Sequence, residues 1–290
     1  MRRVVGSLAP FLALAALSAA LTGCGGGGVA QAIDPVAAAA TKTEDAGGVK
    51  LQMTFTADSA GKSVTVTGNG AFEKSQGSMD FDFGRLFEQA DLQTGADQSA
   101  RVVFLTESGD PVLYLRIPFL SALLPSGKSW IRLDLQKAGN VLGVDVEKEL
   151  GNGATQNPTD ALRLLESQGA FTDVGKETVD GVDTTHYSGT IDLQKAGAAH
   201  GVPSDVVQRL IAAGAPNEFP IDAWVDGAGY LRRIVETYDG ASGSQSVSTK
   251  VTIDLSDYGT NVDVSAPPSD EVFDATQAAV SGIQSHTTTG

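Results

Sequence analysis

Cysteine is almost absent: the 290 residues hold one, Cys24. That excludes an intrachain disulfide framework and any zinc cluster built on cysteines. Three histidines are too few for a metal centre resting mainly on imidazoles. Positive charge is also scarce. Twenty Lys and Arg stand against 35 Asp and Glu, a formal charge of −15, so nothing here neutralises a row of phosphates and nucleic acid is excluded as a partner. After the first two dozen residues no apolar run approaches the roughly 18 residues that a membrane span needs. The usual catalytic signatures are missing as well: no Gly-x-Ser-x-Gly elbow, no His-Glu-x-x-His, no P-loop, and no dinucleotide fingerprint on a strand–helix unit. What is present is a 41% hydrophobic content, enough to fold a core and too much for a disordered chain.

The N-terminus sets the compartment. Met1-Arg2-Arg3 is a short positive region, an apolar stretch runs from Val4 to Leu21, and small residues follow before Cys24. This is the order of a secretory signal, and Leu21-Thr22-Gly23-Cys24 resembles a bacterial lipobox. The competing reading is an uncleaved membrane anchor with an unrelated thiol. The only cysteine of the chain lying at the lipobox position decides for a lipoprotein. Residues 1–23 are thus expected to be a lipoprotein signal peptide. Cys24 would become a diacylglyceryl cysteine with palmitate-like chains, holding the protein on the outer side of the cell membrane. Gly25 to Gly28 and the Ala-rich stretch after them have little to bury, so 24–45 is read as a lipidated flexible tether.

From residue 48 the hydrophobicity repeats with period two. Val49, Leu51, Met53 and Phe55 alternate with Lys50, Gln52 and Thr54; Val64, Val66 and Phe72 share one parity with Gly68 and Gly70; Met79, Phe81 and Phe83 alternate with Asp80 and Asp82. Such alternation marks antiparallel strands with one dry face and one wet face. The two in-strand glycines predict a bend or bulge. Further strands are expected at 101–106, 112–117, 130–135, 171–179, 184–193, 219–225, 230–238 and 246–255, about eleven in all. The stretch Val225-Asp226-Gly227-Ala228-Gly229-Tyr230 reads as a hairpin with positive φ at its glycines.

Helices are few and short. Asn157-Pro158-Thr159-Asp160 has the form of a capped start. Pro203 opens a segment with Val206, Val207, Leu210 and Ile211 at helical spacing, and 141–150 is a weaker third. Asp134-Leu-Gln-Lys-Ala-Gly139 recurs word for word at Asp192–Gly197, with Gly-Val following at the same distance. We read this as a strand-to-helix exit used twice, in two related halves, with a fainter third copy at Ile253–Gly259. The whole is a mainly β protein with a few short helices, one domain over 46–265. A mostly disordered tail is expected over 266–290, where Pro267-Pro268 and a closing Thr-Thr-Thr-Gly discourage packing.

Residues able to carry chemistry are sparse. His186 is expected on a strand, His200 in a loop and His286 in the tail, all as surface histidines. Asp80, Asp82 and Glu73 have the composition of a calcium or acid–base set but read first as the wet side of a strand, and Asp222 and Asp226 as edge and turn residues. No cofactor and no metal are called for. The informative segment is Ile117-Pro118-Phe119-Leu120-Ser121-Ala122-Leu123-Leu124-Pro125, an apolar connection between two strands. Connections are normally polar and exposed. This one either folds down as a core plug or forms an apolar lip beside a cavity.

Taken together, the lipobox, Gly77–Phe83, Val112–Pro118, Trp130–Leu135, Thr185–Leu193, the Ile221–Ile234 hairpin with Trp224-Val-Asp226, and the closing strand to Tyr258 resemble the actinobacterial LppX/LprG-type envelope lipoproteins, relatives in fold of the LolA/LolB carriers. The likeness covers most of 45–265. It implies a half-open antiparallel β-barrel with helices on its concave side and a hydrophobic cavity for acyl lipids or lipoglycans, carried or presented without catalysis. The anchored protein would sit on the membrane through Cys24, with an envelope transporter as a possible partner. No catalytic residue carries over. By face, Met53, Phe55, Phe81, Phe83, Leu115, Ile117, Ile221 and Val225 are expected to point inward, with Phe119, Leu120 and Leu123 at the lip. A filled core would instead make the chain an envelope scaffold or partner-binding lipoprotein, and a secreted hydrolase is the third reading.

Overall fold

A computed structural model describes residues 34–59, 61–73, 76–89, 97–142, 171–199, 202–212, 215–242 and 245–287. The expectations for the signal peptide 1–23, Cys24, the helix after Asn157, most of 141–150, and His200 lie outside those residues.

Alternation in the sequence becomes pairing in space. All eleven expected strands form, and a twelfth joins them: β1 (Gly48–Ser59), β2 (Lys62–Glu73), β3 (Gln76–Asp82), β4 (Ser99–Glu107), β5 (Asp110–Arg116), β6 (Trp130–Asp134), β7 (Thr172–Val179), β8 (Val182–Asp192), β9 (Glu218–Asp226), β10 (Leu231–Ser242), β11 (Gln245–Thr260) and β12 (Val272–Asp274). They build one curled, unclosed sheet in the order β12-β6-β5-β4-β3-β2-β1-β11-β10-β9-β8-β7. Each pairing is antiparallel except β12 with β6. Two meanders therefore meet at the β1–β11 seam, where Met53 faces Ile253 and Phe55 faces Val251. Directly opposed residues in a sheet share a face. The apolar parity consequently stays on the concave side from Ile131 on β6, through Leu115, Val102, Met79, Gly70, Leu51 and Leu255, to the strands of the second meander.

Among the described residues six short helices accompany the sheet: α1 (Pro35–Asp45), α2 (Gly84–Gln89), α3 (Leu135–Leu142), α4 (Leu193–Ala199), α5 (Ser204–Ala212) and α6 (Thr276–Thr287). Helix α5 is the one that Pro203 announces. The repeated hexapeptide does what its local chemistry predicts: β6 passes into α3 and β8 into α4. The leading aspartate accepts from the backbone three residues on, Lys137 N to Asp134 Oδ1 at 2.9 Å and Lys195 N to Asp192 Oδ1 at 3.0 Å, as a helix cap does. The two copies sit on the penultimate strands of opposite sheet edges. The fainter third copy makes no such exit; residues 253–259 continue β11.

Two expectations are corrected. The tether does not extend to residue 45, because 35–45 is helix α1, and Val36, Ala37, Ala39, Ala40 and Thr43 are buried. Asp34 caps it, accepting from Val36 N at 2.8 Å and, through its other oxygen, from Phe171 N at 3.1 Å. The tail is not disordered over 272–287: β12 pairs with Trp130–Arg132, Arg132 bridges Asp274 at 3.0 Å, and Thr276 Oγ1 accepts from Asp134 N at 3.0 Å. Smaller corrections concern glycine. Neither β2 pairing contains a bulge. A Cβ on Gly68 would instead stand 2.7 Å from the Phe81 ring, and one on Gly70 2.2 Å from Ser78 O, so these glycines admit close side-chain and backbone approach. In the β9–β10 turn only Gly229 has positive φ, at 84°.

Candidate functional site

The concave face divides into two parts. Over β8–β11 and the start of β1 it is sealed: Ile191, Ile221, Ala223, Ile234, Ile253, Leu255, Val49 and Leu51 are buried in one cluster with Val36, Ala39 and Ala40 of α1 and Ala196 of α4. Small alanines let α1 lie close to the strands, and Leu231 N donates to Thr43 Oγ1 at 3.2 Å to fix its far end. Beyond this lid the same face is unevenly covered: Met79, Ala100 and Phe104 are buried, and their neighbours less so. Met53, Phe55, Phe72 and Phe81 pack against the cluster yet keep partial exposure, as do Val102, Leu113, Leu115, Ile131 and Leu133. An apolar trough thus runs across β1–β6.

The segment 117–125 reaches this face through Phe119. Residues Pro118–Leu123 form a 3-10 turn. Phe119 folds down, meeting Phe87 edge-on at 4.9 Å and Phe83 at 5.9 Å between ring centroids, with Phe83 in turn 6.4 Å from Phe81. Leu123 is 80% exposed.

Of the residues expected inward, Met53, Phe55, Phe81, Ile221 and Val225 meet in one cluster, the last two as buried core. Leu115 shares their face through Val102 and Ile131. Ile117 is half-buried at the start of the 3-10 turn. Phe83 and Phe119 form the aromatic stack, and the Leu120 side chain lies outside the described residues.

The acidic set does not assemble. Asp80 meets Arg101 at 3.4 Å, Asp82 caps α2 by accepting from Gly84 N at 2.8 Å, and Glu73 accepts from Val262 N at 3.1 Å. Asp226 is a turn residue, accepting from Ala228 N, Tyr230 N and Arg232 Nε. Among the described residues no three His, Cys, Asp or Glu side chains could hold a metal ion, and no helix is long and apolar enough to cross a membrane.

Two groups escaped the sequence reading. On the convex face His186 is no free surface residue: its ring stacks on Trp224 at 4.3 Å, Nδ1 lies 3.0 Å from Glu177 and Nε2 2.9 Å from Asp222. Trp224 Nε1 donates to the other Glu177 oxygen at 2.8 Å. On the concave face Glu236, Tyr238 and Thr249 are buried polar side chains on an otherwise apolar surface. Their parity with Ile234 and Val251 was the available signal.

With the geometry in place, the chain was compared with known proteins. No family profile matches it. It is 30% identical over 190 residues to an uncharacterized 31.2 kDa protein of the rplA-rplJ intergenic region of Streptomyces griseus, a stretch that covers 63% of this chain and 58% of that protein's length. Among solved structures it is similar to LprF from Mycobacterium bovis, with 16% identity, a TM-score of 0.37, and 80% of this chain and 95% of that one covered. It is likewise similar to the lipoprotein LppX from Mycobacterium tuberculosis, with 16% identity, a TM-score of 0.36, and 80% and 100% covered. Both are of the type that the sequence resembles. Overlaps scored this low say nothing of ligand or partner, which must be read from this chain's own residues.

Proposed function

We propose that the protein is an envelope lipoprotein, anchored through Cys24, that binds acyl lipids or lipoglycans in the trough over β1–β6 and carries or presents them without covalent chemistry. The observation that supports this reading best is the division of the concave face. One meander is sealed by α1, whereas the other keeps half-covered Met53, Phe55, Phe81 and Leu115 beside an exposed Leu123. Apolar concavity left uncovered is where apolar ligands bind, and each methylene buried there contributes about 0.8 kcal/mol. The fold of Phe119 onto Phe83 and Phe87 favours a second reading, a trough plugged from within and a scaffold role.

Native mass spectrometry of the chain from Gly25 onward, purified without detergent, separates the two. Starting there keeps α1, whose loss would expose the sealed half. Extra mass that disappears on solvent extraction and analyses as an acyl lipid is the expected result. A clean unliganded mass with no uptake of added fluorescent lipid would replace the carrier reading with the scaffold.

A further inference from the structure

The register of the sheet carries one rim from edge to edge. Thr172, at the start of β7, opposes Ser188. The rim continues through Asp192–Glu218, Ser242–Gln245, Ser59–Lys62 and Asp82–Ser99 to the end of β5 at Arg116 and the start of β6 at Trp130. Two features meet on it. The connection from β5 to β6 lies there and presents Leu123, 80% exposed. Helix α1 begins there as well: Asp34 is held by Phe171 N beside Thr172, whereas Thr43, near the far end of the helix, accepts from Leu231 N at the start of β10, on the opposite rim. The chain therefore leaves for Cys24 from the rim that carries Leu123. A single exposed leucine is ordinary, but this one stands on a fastened loop. Phe119 packs on Phe87 and Phe83, Leu124 N donates to Ser121 O at 3.1 Å, Lys128 N to Pro125 O at 3.0 Å, and Ser129 N to Glu271 O at 2.9 Å. A loop held in this way loses little conformational entropy when its apex enters another phase.

We infer that this rim faces the bilayer and that Leu123 inserts among the acyl chains of the surface that holds the anchor. The inference rests on the anchoring at Cys24 proposed above, not on occupancy of the trough. The contact is apolar rather than electrostatic. The chain carries a formal charge of −15, so anionic headgroups repel it, and the basic residues that flank the loop are engaged within the protein. Arg116 pairs with Asp97 at 3.6 Å, and Lys128 Nζ donates to Asp270 O at 2.9 Å. The partner is therefore a phospholipid surface without net charge. One leucine binds such a surface weakly by itself. Joined to a lipid anchor on the same rim it becomes the second of two membrane signals, and the anchor supplies the local concentration that it lacks. Together they fix which end of the sheet meets the membrane.

The test has two arms. In the first, the lipidated protein sits in phosphatidylcholine vesicles containing nitroxide-labelled lipid, and a fluorophore is attached through Leu123→Cys or, on the opposite rim, through Asp183→Cys, an exposed position near the start of β8. The fluorophore at 123 is expected to be quenched by the labelled lipid and the one at 183 to remain in water. Equal quenching at the two positions would overturn the orientation. The second arm needs no anchor: the chain from Gly25 onward is sedimented with phosphatidylcholine vesicles. Leu123→Ser should weaken its partition about 10-fold at an unchanged melting temperature, Leu123→Phe should retain it, and added salt should leave it unaltered. An unchanged partition in Leu123→Ser would overturn the insertion, and a dimer in solution that this substitution dissolves would assign Leu123 to a second copy of the chain instead. A thiol found free on Cys24 would remove the anchor and the orientation with it, while the second arm still decides whether Leu123 inserts. Quenching at 123 in a protein that takes up no lipid would support the bilayer contact while ending the carrier reading.

Discussion

Glu236 and Glu177 belong to the same half of the sheet, on β10 and β7, but on opposite faces. Glu236 looks into the dry interior, where desolvation raises its pKa against the smaller opposing effect of the Tyr238 hydrogen bond. Glu177 stands in solvent on the convex side, where the Trp224 indole and His186 hold its carboxyl below the usual range. One face desolvates its acid and disfavours its charge, and the other surrounds its acid with donors. Around Glu177 the convex surface ties neighbouring strands together by polar contacts, although the same face also buries Val179, Trp224 and Val235, and Val103, Val112, Tyr114 and Trp130 in the other half.

The contrast can be broken most severely from the dry side. Ile221→Ala, at a residue 1% exposed beneath α1, should cost about 3 kcal/mol in denaturant unfolding. A loss under about 1 kcal/mol would mean that the lid does not seal this half. The two acids give smaller effects of opposite sign. Because the folded-state pKa of Glu236 is raised, its favourable state is complete below the unfolded glutamate pKa and is lost as pH rises toward the folded value. The stability of Glu236→Gln relative to the wild type should therefore grow upward from about pH 4, by at most about 1.4 kcal/mol per pH unit. A flat difference would show that the carboxyl is ionised in the folded state. Glu177 has a depressed pKa, so its contribution is present above the unfolded value and fades as pH falls. Glu177→Gln should lose its deficit relative to the wild type on acidification, read from melting temperatures at pH 7 and pH 3. The smallest effect on stability is expected at the lip: Leu123→Ser should stay within about 0.5 kcal/mol and yet slow lipid uptake from vesicles.

Much of the fold was legible because half-buried antiparallel strands write their faces as alternation, and each of the eleven expected strands is long enough to show it. β12 was not legible. Three residues cannot establish a period, and its place depends on parallel pairing with β6 and on the Arg132–Asp274 contact. Helix α1 was missed for a different reason: its buried residues are mostly alanine, which gives little hydrophobic contrast around the helix, and the cap at Asp34 before Pro35 went unread. At the candidate site the inward parity of Met53, Phe81 and Leu115 was visible, but the split into sealed and half-covered parts was not, since it depends on where α1 lands. The network around His186 requires the register of three strands, Glu177 on β7, His186 on β8, and Asp222 and Trp224 on β9. No local pattern contains that register.

The docking of α1 also shortens the leash. If Cys24 carries the lipid as proposed, only ten residue steps separate it from Asp34, at most about 35 Å of fully stretched chain. The Asp34 end of α1 can rise no farther from the bilayer than that. Any pull on the acyl chains would be delivered to the Asp34 carboxylate that joins Val36 and Phe171. Such an anchor would keep a corner of the sealed half near the surface from which a lipid would be drawn.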